Sequence, residues 1–164
     1  LIFFMLFYNF HQYSTEYIIE WTKMSDPNSS QTGNIERGWQ VVPTDISSHL
    51  PFSAAVEANG FVFVSGQASV DKQGKIISGD FEEEMRRSIS NVQEILGAAG
   101  LDLGDVVRVT SYVHDPSHLT QYNKLYSEYF SAPMPARTTI TSCLSAAIKF
   151  EIDVIAVRRP VVTR

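Results

Sequence analysis

The sequence predicts one α/β (α+β) domain, with a mixed sheet of about six strands and two helices on one face. Three observations carry that expectation. Apolar residues recur at helical spacing in only two stretches, while six short runs show strand patterning between turn residues. The 164 residues and 44% apolar content suit one domain with one sizeable core. The elements follow the order β-β-β-α-β-α-β-β, in which two helices can cover only one side of the sheet.

Residues 1–34 read as an N-terminal extension, and the domain spans 35–160. Residues 1–10 form an apolar, aromatic run, about half of what a bilayer-spanning helix needs. No basic stretch precedes the run and no small-residue cleavage site follows it. Met24 opens a start-like segment, so residues 1–23 read as upstream read-through, with a truncated signal or anchor as the alternative. Residues 25–34, rich in Ser, Asn, Gly and Pro, read as a mobile arm.

The domain's elements follow in order. Residues 39–42 pattern as an edge strand stopped by Pro43, and 53–57 as a second short strand. Asn59-Gly60 is the strongest hairpin signal in the chain. It leads into Phe61-Val62-Phe63-Val64, a continuous apolar run expected to be buried on both faces. Asp80 and Glu83 form a capping box, and Glu82, Glu83 and Glu84 suit the positive end of a helix. Phe81, Met85, Ile89, Val92, Leu96 and Ala99 trace the apolar face of that helix, and Gly100 ends it. Residues 105–113 read as a strand. Asp115-Pro116 starts a second helix with the stripe Leu119, Tyr122, Tyr126 and Tyr129 or Phe130. The two prolines of 132–135 end it. Residues 137–143 and 148–157 are the last strands. In the final one, Ile148, Phe150, Ile152 and Val154 point one way, while Lys149, Glu151, Asp153, Ile155 and Val157 point the other. That second face mixes carboxylates with apolar groups, and a symmetric homo-oligomer is its economical cover.

Composition narrows the function classes. A net charge of −5 gives no electrostatic reason to expect nucleic acid or an anionic membrane as partner. The single cysteine, Cys143, rules out an internal disulfide and fits a reducing, cytoplasmic setting. His114 and His118 are four apart, but Pro116 between them disfavours a shared metal-binding face, and no metal site is expected.

Chemistry concentrates in a few residues. Arg137 opens a strand after the Pro-stiffened loop Met134-Pro135-Ala136, where its planar fork can grip a carboxylate or phosphate. A structural salt bridge is the competing reading. Glu151 can act as a general acid or base if it is partly buried beside Arg137; otherwise it is a plain strand carboxylate. Ser65-Gly66-Gln67 offers a bulge and hydrogen bonds to a ligand, or simply a strand-to-loop exit. Asn123 interrupts the stripe of the second helix and either fixes a loop or reaches a pocket.

Several colinear segments resemble the RidA (YjgF-type) family of reactive enamine/imine deaminases. They are Phe63-Val64-Ser65-Gly66-Gln67, residues 88–92 with Ala98-Ala99-Gly100-Leu101, Asp105-Val106-Val107 and Tyr122-Asn123-Lys124-Leu125-Tyr126. The clearest are Pro135-Ala136-Arg137 and Glu151-Ile152-Asp153-Val154-Ile155-Ala156-Val157. The resemblance spans about residues 46–159. It implies a chorismate-mutase-like fold, a homotrimer with three clefts between subunits, and hydrolytic deamination of 2-aminoacrylate, 2-iminopropanoate and 2-iminobutanoate without metal or organic cofactor. It further implies that Arg137 anchors the substrate carboxylate, that Glu151 positions or activates water, and that Phe52, Ser65, Asn123 and Thr139 line the pocket.

The departures lie on one wall. Leu50-Pro51-Phe52-Ser53-Ala54-Ala55 stands where the family commonly has Gly-Pro-Tyr-Ser-Gln-Ala, so Phe52 lacks a hydroxyl and Ala54 an amide. These changes point to a bulkier or less polar imine. Glu84 replaces a usual Gln and Ser145 a usual Pro. Two other functions compete: a non-catalytic trimer that binds a small ligand or a protein, and RNA cleavage or translational inhibition. Acidity argues against the second, since Arg86, Arg87, Arg158 and Arg159 form only two small doublets.

Overall fold

The computed structural model describes residues 38–46 and 50–159, and the expected extension over residues 1–34 lies outside them. The elements are β1 (Gln40–Val41), β2 (Ala55–Ala58), β3 (Phe61–Ala68), α1 (Phe81–Ala98), β4 (Val106–Val113), α2 (Leu119–Tyr129), β5 (Ala136–Thr141) and β6 (Phe150–Val157). They form one six-stranded sheet in the order β1-β2-β3-β6-β4-β5. The β4–β5 pair, bridged by α2, is parallel, and every other pair is antiparallel. None of the helices among the described residues is long and apolar enough to cross a membrane.

Local chemistry sets the boundaries. At the β2–β3 turn, Asn59 and Gly60 take φ of 50° and 78°, the left-handed pair that a tight hairpin requires. Asp80 accepts from the Glu83 amide at 2.9 Å while Glu83 Oε2 accepts from the Asp80 amide at 2.9 Å, closing the expected capping box. Asp115 accepts from the Ser117 amide at 2.8 Å, and its cap starts a 3-10 turn, Pro116–His118, that runs into α2. β3 continues four residues past the expected end at Val64, so Ser65, Gly66 and Gln67 lie inside a strand rather than at its exit. A bulge between Val64 and Gln67 absorbs the extra residue, which agrees with the role expected of Gly66.

Both helices lie on one face. Met85, Ile89, Val92 and Leu96 of α1, with Tyr122 of α2, are fully buried against Val62, Val109, Phe150 and Ile152 of the sheet. Truncating Ile89 or Met85 to Ala would cost about 2–5 kcal/mol through lost transfer energy and a residual cavity. Glu84 is buried with them, although its first-turn position alone suggests a solvated acid favoured by the helix dipole. Its carboxylate accepts from the Gly79 amide at 3.2 Å, the Lys149 amide at 2.8 Å and Lys149 Nζ at 2.9 Å, which makes its burial tolerable.

The opposite face corrects one expectation. Phe61 and Phe63 are each 41% exposed within the chain, so the run 61–64 is not buried on both sides. Val62 and Val64 meet the helices, whereas the phenylalanines share the bare face with Val107 and Ile140, both also exposed. Glu151, Asp153, Ile155 and Val157 are half-buried, and Phe150, Ile152, Val154 and Ala156 are buried, which is the alternation read from the sequence.

Candidate active site

The six residues singled out by sequence separate into two groups. The first is built on β5 and α2. Arg137 pairs with Val109 across the β4–β5 register, so its side chain leaves the sheet on the helix-covered side, at the outer edge. α2 passes beside it. Arg137 Nη2 donates to Asn123 Oδ1 at 2.9 Å, and Cζ lies 4.6 Å from the Tyr126 ring centre and 5.0 Å from that of Tyr122. Such cation–π contacts contribute about 0.5–2 kcal/mol each and fix the plane of the fork. Among the described residues no carboxylate pairs with Arg137, and it remains exposed. The salt-bridge reading therefore has no partner there.

The tyrosines are themselves held. Tyr122 donates to Ser111 Oγ at 3.0 Å and accepts from Thr139 Oγ1 at 3.5 Å. Thr139 thus belongs to the support under Arg137, two residues along the same strand face. Burial pushes the Tyr126 hydroxyl up to about 12, against the opposing pull of the Arg137 charge, so it stays protonated across the working range. The sequence reading placed both tyrosines in a packing stripe and missed this cradle. The available signal was their i, i+4 spacing on either side of Asn123.

The second group lies on β3, β6 and the loop before β2. Glu151 rises from the bare face, and its carboxyl sits over Gly66: a Cβ at position 66 would collide with Glu151 Oε1. Glycine is required there for close approach, not for an unusual φ. Burial raises the Glu151 carboxyl above its ordinary value, and the Asp153 charge acts in the same direction. Tyr112 donates to Asp153 Oδ2 at 3.1 Å, which holds that neighbour in place. Ser65 Oγ donates to Ser53 O at 2.7 Å and pins the loop that carries Phe52. Phe52, Gly66 and Glu151 line one cavity of about 720 Å³.

Glu151 is partly buried, which meets one of the two conditions set for an acid or base role, but it is not beside Arg137. Tyr112 pairs with Glu151 and Val109 with Arg137, on opposite sides of β4. The two side chains leave opposite faces of the sheet. Alternation along strands forces this outcome, because Glu151 is out of phase with the buried Ile152 while Arg137 is in phase with the buried Val109.

The remaining candidates are occupied elsewhere. His118 stacks on Phe81 with ring centres 4.5 Å apart, and His114 Nδ1 lies 3.0 Å from Leu144 O. Arg86 pairs with Glu82 and Glu128, Arg158 with Glu57 and Arg159 with Asp105. Arg87 donates to Ser69 Oγ and Ile77 O. Both arginine doublets are therefore spent on the chain's own acceptors.

A mixed sheet with two helices on one side, an edge arginine that meets no carboxylate among the described residues and a half-buried glutamate defines a small-domain class with a sparse polar site. The profile of the family described as "Endoribonuclease L-PSP" matches residues 43–158, and the chain belongs to this family, the YjgF/RidA family. A RutC family protein of Pyrococcus abyssi is 40% identical over 108 residues, 65% of this chain and 85% of the relative. The human 2-iminobutanoate/2-iminopropanoate deaminase is 33% identical over 115 residues, 69% of this chain and 84% of the relative. The crystal structure of E. coli TdcF with bound serine superposes with a TM-score of 0.66 at 31% identity, covering 73% of this chain and 99% of that one. Relatives bearing deaminase names support an imine-deaminase type of activity for the family.

Proposed function

We propose that this chain hydrolyses reactive 2-imino and enamine acids, such as 2-iminopropanoate, its tautomer 2-aminoacrylate, and 2-iminobutanoate, to 2-keto acids and ammonia. The single observation that carries this reading is Arg137, an exposed guanidinium pre-oriented by Asn123 and two tyrosine rings and left without a carboxylate among the described residues. Its open donors fit a carboxylate bidentately. The deaminase name of the human relative and the amino acid bound by E. coli TdcF support a substrate of this size and charge.

Arg137 and Glu151 act together only if a second copy brings its Glu151 face to the β5 edge of the first. A homotrimer with a cleft between neighbouring copies meets that requirement, and the bare apolar face with Phe61, Phe63, Val107 and Ile140 supplies surface to bury. In the cleft, Arg137 holds the carboxylate and Glu151 takes a proton from water. The water oxygen bonds to the iminium carbon as the C=N π electrons move to nitrogen. The protonated Glu151 then returns the proton to the amine, the C–N bond breaks as the carbonyl forms, and neutral ammonia leaves while the hydroxyl proton passes to the Glu151 carboxylate, which hands it on to ammonia as ammonium. For 2-aminoacrylate, protonation of the terminal carbon first produces the same iminium. A carboxyl raised by burial suits a group that must both accept and donate.

The test is ammonia release from 2-iminobutanoate generated in situ. Arg137→Ala should lose about 10- to 150-fold in kcat/KM, the equivalent of a bidentate contact contributing ~1.5–3 kcal/mol in all, with the oligomer intact. Equal activity in that variant overturns the role of Arg137. Phe52, a ring without a hydroxyl in the cavity, favours a second reading: a trimer that binds a small carboxylate without turnover. Thermal stabilisation by 2-ketobutanoate without ammonia release from the imine would select it.

A further inference from the structure

The cavity beside Glu151 is far larger than a methyl or ethyl group needs. At about 720 Å³ it falls in the range that encloses a drug-sized ligand. Its wall includes Val42, Ile46, Phe52, Ala54, Ile76 and Ile148, and Glu151 is the sole ionisable group among the described residues lining it. The polar groups that remain are largely consumed. Gln67 Nε2 donates to Ser65 O at 3.0 Å and Gly66 O at 3.2 Å, and Ser53 O accepts from Ser65. Phe52 and Ile76 are 48% and 43% exposed, so apolar surface stands open around the cavity rather than packed into the core.

We infer that this cavity receives the substrate's side chain, and that the chain prefers 2-imino acids with a branched aliphatic or aromatic substituent over the small ones. The inference rests on the imine-hydrolase reading and adds the substrate class to it. A planar iminium carbon carries three groups: the carboxylate, the nitrogen and the substituent. Arg137 takes the carboxylate, and water beside Glu151 approaches the carbon from one face. With the carbon near Glu151, the substituent is directed toward the cavity that Glu151 and Gly66 border. An apolar wall rewards each buried methylene, and among the described residues it holds no cation to pair with a second carboxylate.

The experiment compares kcat/KM for imines made in situ by an amino-acid oxidase from leucine, phenylalanine, 2-aminobutanoate and glutamate. The leucine- and phenylalanine-derived imines should exceed 2-iminobutanoate by about 10-fold or more, and the glutamate-derived imine should be the poorest. Ile76→Trp, at an exposed position that tolerates bulk, should lower the ratio of leucine-derived to 2-iminobutanoate activity by about 10-fold. If 2-iminobutanoate is hydrolysed as well as or better than the bulky imines, the inference falls and the hydrolase reading stands. If none of the four is hydrolysed, both fall.

Discussion

The two halves of the candidate site are built on different principles. The Arg137 half is rigid and local: one hydrogen bond, two aromatic rings and a buried hydroxyl chain fix a charge at the edge of the sheet. The Glu151 half is open and apolar, with a carboxyl perched over a glycine at the border of a roomy cavity. One half supplies a fixed charge and the other an adjustable environment for a proton. The difference teaches that the charge is positioned by contacts, whereas the acid is tuned by what excludes water from it.

Separation of the halves across the sheet makes the strongest test one of complementation. Arg137→Ala and Glu151→Gln should each retain about a tenth of the wild-type rate or less alone. Unfolded together and refolded as mixed trimers at equal amounts, they should regain roughly a quarter of the wild-type rate, because one cleft in four then unites an intact Arg137 with an intact Glu151. No recovery, with mixing verified by mass spectrometry, would place the whole site within one copy.

Gly66→Ala comes next. The new Cβ and the Glu151 carboxyl cannot share their present space, so the acid must swing away. A loss of about 10- to 100-fold in kcat, with KM nearly constant, is expected because the substitution displaces the proton-handling carboxyl while leaving Arg137 and the apolar wall that bind substrate in place. A rise in KM alone would show that Glu151 holds substrate rather than water.

Acidity should then report on the same carboxyl. Its folded value is raised by burial and by Asp153, so the base form disappears at a higher pH than for a solvated glutamate. The acid limb of kcat/KM should sit correspondingly high and vanish in Glu151→Gln. The linkage sign is opposite for stability: between the unfolded and folded values the native state binds the extra proton, so stability falls as pH rises through that window. Glu151→Gln should thus raise Tm by about a degree or two at neutral pH and by nothing at pH 4, as read by calorimetry. A Tm gain that does not change with pH would assign the effect to packing.

The smallest effect belongs to the cradle. Tyr126→Leu should weaken the apparent affinity for the imine about 3- to 10-fold through loss of one cation–π contact. Arg137→Lys should behave like the alanine variant rather than like this one, because a point charge lacks the planar fork.

Most of the fold was legible because its signals are short-range. The Asn59-Gly60 hairpin, the Asp80–Glu83 box and the alternation of 150–157 each depend on neighbours within a few residues. The identities of Arg137 and Glu151 were legible from motif context, but their mutual position was not. That relation depends on the register of β4 against two partners, which no local pattern encodes. The Phe61-Val62-Phe63-Val64 run misled for a related reason: a continuous apolar strand tells that both faces seek cover, but not that one chain provides only half of it. The tyrosine cradle was hidden because a ring that stacks on a guanidinium and a ring that fills a core have the same spacing.

Glu84 has a wider consequence. Its sequestered carboxylate ties the amide before the first helix and both the amide and the ammonium of Lys149 to one point, two positions ahead of Glu151. The aim of Glu151 is therefore anchored from the far side of the sheet. A substitution at residue 84 would tilt a carboxyl it never touches, as loosening a tent peg tilts the pole.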